Sequence, residues 1–105
     1  MNKLAHKTAL ITGANQGIGQ GIACALARAG ADIAITYLGN PTDRDRAESV
    51  IHEIQALGRK AIALPLDITC EKSIKQCIQA TLSHFGHLDI LVNNAGVMQQ
   101  TTGIT

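Results

Sequence analysis

The chain is expected to be an α/β protein with a doubly wound parallel sheet, and three observations carry that expectation. Short apolar, β-branched runs alternate with longer stretches of helical period. A glycine-rich turn, Thr12-Gly13-Ala14-Asn15-Gln16-Gly17-Ile18-Gly19, lies between the first apolar run and the first helical stretch. Apolar residues make up 46% of the 105 residues, with Tyr37 and Phe85 the only aromatics, so a core is feasible and is built from Ile, Leu, Val and Ala. Strands alternating with helices imply right-handed crossovers and a sheet covered on both faces. At this length there is at most one small domain.

Thr8-Ala9-Leu10-Ile11-Thr12 reads as a buried parallel strand ending at Gly13. From Gly17 to Ala29 the residues Ile18, Ile22, Ala25, Leu26 and Ala29 form a helical stripe, and Gly30 stops it. Ile33 to Tyr37 is a second strand, followed by a turn at Gly39-Asn40-Pro41. Thr42 is the expected cap of the next helix, with Asp43 and Asp45 in its first turn, where the dipole favours negative charge. Its buried face is Ala47, Val50, Ile51, Ile54 and Leu57, with Gly58 as a left-handed stop. Ala61 to Leu66 is a third strand, and Pro65 implies an edge position or the strand's end. Thr69 is expected to cap a third helix that turns Ile74, Cys77, Ile78, Leu82 and Phe85 inward. Leu88 to Val92 is a fourth strand, running into Asn93-Asn94-Ala95-Gly96, and Val97 to Thr105 has no clear period. The order is βαβαβαβ.

A net charge of +1 gives no case for nucleic acid or an anionic membrane as partner. Met1 to Lys7 is too short and polar for a secretory signal, and no apolar run approaches membrane-spanning length. Cys24, Cys70 and Cys77 are odd in number and lack a C-x-x-C pair, which fits buried or semi-buried free thiols in a reducing compartment. The expected location is the cytoplasm. His84 and His87 lack neighbouring ligands and suit a helix C-terminus better than a metal.

Glycines spaced as in Gly13 to Gly19 let the backbone leave a strand sharply and approach a ligand closely. The helix that follows presents free N–H groups and the positive end of its dipole, which suits a pyrophosphate. A P-loop is excluded, since no Gly-Lys-Ser/Thr follows. Taken alone, the loop is compatible both with dinucleotide binding and with an ordinary strand-to-helix turn.

The pattern Thr12-Gly13-x-x-x-Gly17-x-Gly19, with Asn93-Asn94-Ala95-Gly96 after the fourth strand and Asp67 after the third, resembles the short-chain dehydrogenases/reductases. That family carries a T-G-x-x-x-G-x-G loop and an N-N-A-G segment at these places, and the resemblance spans Lys7 to about Val97. It implies a Rossmann-type sheet with strand order 3-2-1-4, the N-terminal part of a single NAD(P)-binding domain over residues 1–105. It further implies that Gly13, Ala14, Asn15, Gln16, Gly17, Ile18 and Gly19 wrap the pyrophosphate and adenosine ribose, Ile18 lending an amide to a phosphate oxygen. Asp67 and Ile68 would border the adenine, and Asn93 would face the cofactor ribose. Asn94, Ala95 and Gly96 would shape the cleft floor. A structural role for Asn93 and Asn94, tying the fourth strand to its neighbour, is compatible with this.

Cofactor choice falls on the residue ending the second strand, where a carboxylate would accept from the 2′-hydroxyl and repel a 2′-phosphate. Tyr37 stands there with Leu38 next, which favours NADP over NAD. Gln16 occupies a loop position where many NADP-preferring relatives carry Arg, leaving Arg44 or Arg46 either to reach the phosphate or to be solvated.

The family's catalytic Ser, its Tyr and the Lys four residues later, and a further Asn would lie beyond Thr105. The resemblance therefore implies the cofactor-binding portion of an oxidoreductase that moves hydride between nicotinamide and a carbonyl or secondary alcohol, with no catalytic set in this chain. The alternatives are a non-catalytic dinucleotide-binding module and an inactive remnant. With the fourth strand at an open edge, Ile90, Leu91 and Val92 invite self-association.

Overall fold

The chain runs β1 (Thr8–Ile11), α1 (Gly17–Arg28), β2 (Asp32–Tyr37), α2 (Pro41–Ala56), β3 (Ala61–Pro65), α3 (Glu71–Phe85) and β4 (Ile90–Val92). A computed structural model describes residues 3–14 and 17–94. All four strands are parallel, in the order β3-β2-β1-β4. The register pairs Ala9 with Ile33 on one side and with Ile90 on the other. The expected element order and topology are both present.

Side chains alternate across the pleat, so one set of strands feeds two cores. Ala9, Ile11, Ile33 and Ile35 pack with Ala23, Cys24 and Ala27 of α1 and Ala47, Val50, Ile51 and Ile54 of α2. Leu10 and Ala34 pack on the other face with Leu66 and Cys77, beneath α3. Two helices on one face and one on the other is the doubly wound arrangement.

Each helix ends on a left-handed glycine. Gly30 (φ 108°) donates to Ala27 O and Ala31 to Leu26 O, and Gly58 (φ 88°) and Arg59 repeat the pattern with Gln55 and Ile54. Gly86 (φ 88°) closes α3 with one bond to Leu82 O.

The structure corrects several local expectations. Asn40, not Thr42, caps α2: Pro41 presets the first helical φ, and the extended Asn40 before it accepts from the Asp43 N–H at 2.8 Å. Cys70, not Thr69, is the cap residue of α3, and its side chain makes no capping bond. Thr69 is drawn away because its N–H and hydroxyl both donate to Asp67 Oδ1, at 2.9 and 2.5 Å. Cys70 is consequently exposed, while Cys24 and Cys77 are buried. The inner face of α1 is Gly19, Ala23, Cys24 and Ala27, rotated from the expected stripe, because small residues let the helix sit close on the sheet. Ile18 and Ala25 face solvent. Leu57, at the end of α2, and Ile74 and Leu82 on α3 are also exposed.

Three of the strands are shorter than their apolar runs, while β2 begins one residue early, at Asp32. Thr12 and Leu66 fall past strand ends, and Leu88 and Asp89 precede β4. Pro65 is the last residue of β3, itself an edge strand, so both meanings of that proline hold. β4 is the opposite edge, with Leu91 59% exposed.

Candidate functional site

Four strands of a parallel sheet point their C-terminal ends the same way, and the loops there gather the chemistry-bearing residues. The first loop leaves β1 at Thr12, whose N–H donates to Val92 O at 3.0 Å and whose hydroxyl donates to Asn93 Oδ1 at 3.3 Å. Gly13 follows at φ 68°, its N–H donating to Thr36 Oγ1 of β2 at 3.0 Å. Its carbonyl accepts from Asn94 Nδ2 at 3.2 Å. One loop is thus fastened to both neighbouring strands.

The glycines serve different purposes. Gly17 opens α1 at φ 64°, and a Cβ there would meet nothing within 4 Å. Its glycine answers a backbone conformation and leaves open space above the helix N-terminus. Gly19 is the crowded one: a Cβ would sit 2.6 Å from Gly13 O, 2.6 Å from Asn94 Nδ2 and 2.9 Å from Ala14 Cα. Only a residue without a side chain lets α1 close against the loop, so the packing of helix on loop belongs to Gly19. Ile18 between them is 78% exposed, and no acidic residue occupies the first turn of α1 to repel an anion.

Across the sheet edge, Tyr37 ends β2 half-buried, and its carbonyl accepts from the Leu66 N–H at 2.9 Å, which draws the segment after β3 alongside. Asp67 is exposed there. Its backbone N–H donates to Ser73 Oγ at 2.9 Å, and the two Thr69 donors hold its carboxyl below the usual carboxylate range. One carboxylate oxygen is therefore engaged within the chain. Ile68 and Asn93 line one cavity of about 280 Å³ with Thr12 and Leu91. A larger one of about 610 Å³ opens beside Leu38, Asp67 and α3.

Gly13, Ala14, Gly17, Ile18, Gly19, Tyr37, Asp67, Ile68 and Asn93 thus collect at one end of the sheet. Asn15, Gln16, Ala95 and Gly96 lie outside the described residues. Two contributors were missed in the sequence. Thr36 holds Gly13, and the only signal for it was a polar residue inside an apolar strand. Ser73 holds Asp67 from the first turn of α3, a contact no local pattern announces.

A doubly wound parallel sheet with a glycine loop between its first strand and first helix defines a Rossmann-type α/β protein. The short chain dehydrogenase family model matches residues 7–104, and the chain belongs to that family. It is 48% identical over 94 residues to a hydroxynaphthalene reductase of Aspergillus fumigatus, covering 90% of this chain and 33% of that protein. It is 41% identical over 92 residues to a 3-oxoacyl-[acyl-carrier-protein] reductase of Staphylococcus epidermidis, covering 88% and 36%. A blue fluorescent protein from a metagenomic library, solved with NADPH, superposes with a TM-score of 0.85 at 37% identity over 92% of this chain and 38% of that one. A 7α-hydroxysteroid dehydrogenase solved with NADH and 7-oxo glycochenodeoxycholic acid gives 0.79 at 41% identity, over 86% and 34%. The chain spans about a third of the length of the relatives it matches.

Proposed function

We propose that the chain is the cofactor-holding part of an NAD(P)-dependent oxidoreductase, one that in its whole form passes hydride between nicotinamide and a carbonyl or secondary alcohol. The observation that carries this is the packing at Gly19, which keeps the loop carbonyl of Gly13 and the amide of Asn94 against α1 and leaves the space above Gly17 open. The residues fit the group. Backbone N–H groups at the start of α1 would hold the pyrophosphate, Asp67 and Ile68 the adenine edge, and Asn93 the ribose. When bound, the nicotinamide would donate or accept the hydride, and these residues would hold and orient it. Tyr37 and Leu38 at the end of β2 offer no carboxylate against a 2′-phosphate, which supports NADP over NAD.

A dinucleotide-binding module without catalysis is the second reading, and it rests on the same loop packing at Gly13, Gly19 and Asn94. The free thiols support a cytoplasmic setting for either function. Titration of the chain with NADPH and with NADH, followed by cofactor fluorescence, tests the binding that both require. Saturable binding lost in Gly19→Ala is the expected result, and no binding of either nucleotide removes both. Carbonyl reduction by a protein that carries this segment separates enzyme from module.

A further inference from the structure

We propose that Thr36, a buried residue of β2 outside the glycine pattern, is the positioning residue of the nucleotide loop. Its hydroxyl oxygen sets how the head of α1 meets a pyrophosphate. This rests on the cofactor reading above and goes further by naming the side chain that pre-forms the loop.

The β1–β2 ladder ends with Ile11 opposite Ile35. Just past it, the Thr12 N–H turns to β4 and donates to Val92 O. The Gly13 N–H turns the other way and meets a side chain of β2, with Thr36 Oγ1 accepting it at 3.0 Å. Thr36 is 2% exposed, so water has little access to that bond. A β-branched side chain suits a strand and is stiff at χ1, which keeps the oxygen in line with the N–H.

Gly13 needs such a clamp. At φ 68° it stands in the left-handed region, and a glycine has many other conformations open to it. Thr36 holds its N–H from β2, while Asn94 Nδ2 holds its carbonyl from β4 at 3.2 Å. The same carbonyl lies 2.6 Å from where a Cβ would stand on Gly19, the third residue of α1. A shift of Gly13 is therefore passed to the first turn of α1, whose N–H groups face the phosphates in the cofactor reading. Ordering the loop before the ligand arrives removes that cost from binding. The benefit goes to ligands that carry the pyrophosphate.

The test titrates NADPH, NADH, 5′-ADP and adenosine into the unaltered chain and into Thr36→Val, Thr36→Ser and Ile35→Val. Thr36→Val keeps the shape and leaves the Gly13 N–H without its acceptor. It should lose about 5- to 50-fold in affinity for NADPH, NADH and 5′-ADP alike, while adenosine shifts less than about twofold. Thr36→Ser, which restores the oxygen, should recover most of the loss. Ile35→Val thins the core beneath α1 and α2 on the same strand, and should lower stability while leaving all four affinities within about twofold. The Gly13 amide of the unaltered chain should be protected from deuterium exchange, a readout that needs no variant.

Equal loss for adenosine and 5′-ADP, no loss for 5′-ADP, no recovery in Thr36→Ser, the same loss in Ile35→Val, or an unprotected Gly13 amide would each overturn the assignment and leave the cofactor reading standing. Failure of NADPH, NADH and 5′-ADP to bind the unaltered chain would overturn both.

Discussion

Asp89 and Thr8 hydrogen-bond in both directions at the N-terminal edge of the sheet. The Thr8 N–H donates to Asp89 Oδ2 and the Asp89 N–H donates to Thr8 O, each at 2.9 Å. His87 Nδ1 reaches the same carboxylate oxygen at 2.6 Å. This pair joins the start of β1 to the start of β4, 81 residues apart in the chain, at the edge opposite the glycine loop. Asp32 does the same for β3, accepting from the Lys60 N–H at 3.2 Å.

Asp89 should make the fold acid-sensitive. The Thr8 N–H, chiefly, and then His87 and Lys7 hold its carboxyl below the ordinary value. A folded pKa lower than the unfolded one contributes stability that is complete above the unfolded value and is lost as pH falls through the folded one. Denaturation midpoints measured from pH 7 to 2 should drop below about pH 4, and Asp89→Asn should flatten that drop. An unchanged profile in the variant would show that other carboxylates govern acid unfolding.

Gly19→Ala and Gly17→Ala should fail for different reasons. At Gly19 the methyl group overlaps backbone atoms of Gly13 and Ala14, so the loop must move; a loss of about 1–3 kcal/mol is expected, together with loss of nucleotide binding. At Gly17 there is room, and the left-handed backbone alone is penalised by about 1–2 kcal/mol. Urea unfolding with parallel cofactor titration distinguishes them.

Thr8→Val should stabilise the protein. Thr8 is 1% exposed, and among the described residues its Oγ1 has no hydrogen-bond partner. A buried hydroxyl without a partner costs about 1–3 kcal/mol, and valine keeps the shape while removing it. Thermal melts should rise; a fall would show that the hydroxyl is satisfied in solution.

The thiols should separate by reactivity. Cys70 is exposed, whereas Cys24 and Cys77 are buried, and burial, joined at Cys24 by the charge of Glu53, pushes both of those thiols up. Ellman's reagent should titrate one thiol quickly in the native protein and three after denaturation. Fast labelling of more than one would contradict this packing.

Self-association through β4 is expected at high concentration. Leu91 is 59% exposed on β4, an edge strand among the described residues, and Ile74 and Leu82 of α3 are exposed on the same side of the sheet as Leu10. Leu91→Lys should lower the apparent mass in sedimentation; an unchanged mass would place association elsewhere.

The residues themselves determined the element order, the helix stops at Gly30 and Gly58, and the glycine turn at the head of α1. Those features follow from local backbone preference and side-chain period, which act within a few residues. Caps were less legible, because Thr42 is only slightly poorer a cap than Asn40, and Thr69 is chemically better suited than Cys70. The proline at position 41 and the pull of Asp67 on Thr69 decided them. Contacts across the sheet were legible only at Asn93 and Asn94, expected to tie β4 to its neighbour and found bonded to Thr12 and Gly13. That Gly19 is glycine because Asn94 and Gly13 crowd it, that Thr36 holds the loop, and that the inner face of α1 is its row of small residues emerged only in the folded chain. Each depends on atoms brought together by strand pairing, and separation along a sequence carries no record of such distances.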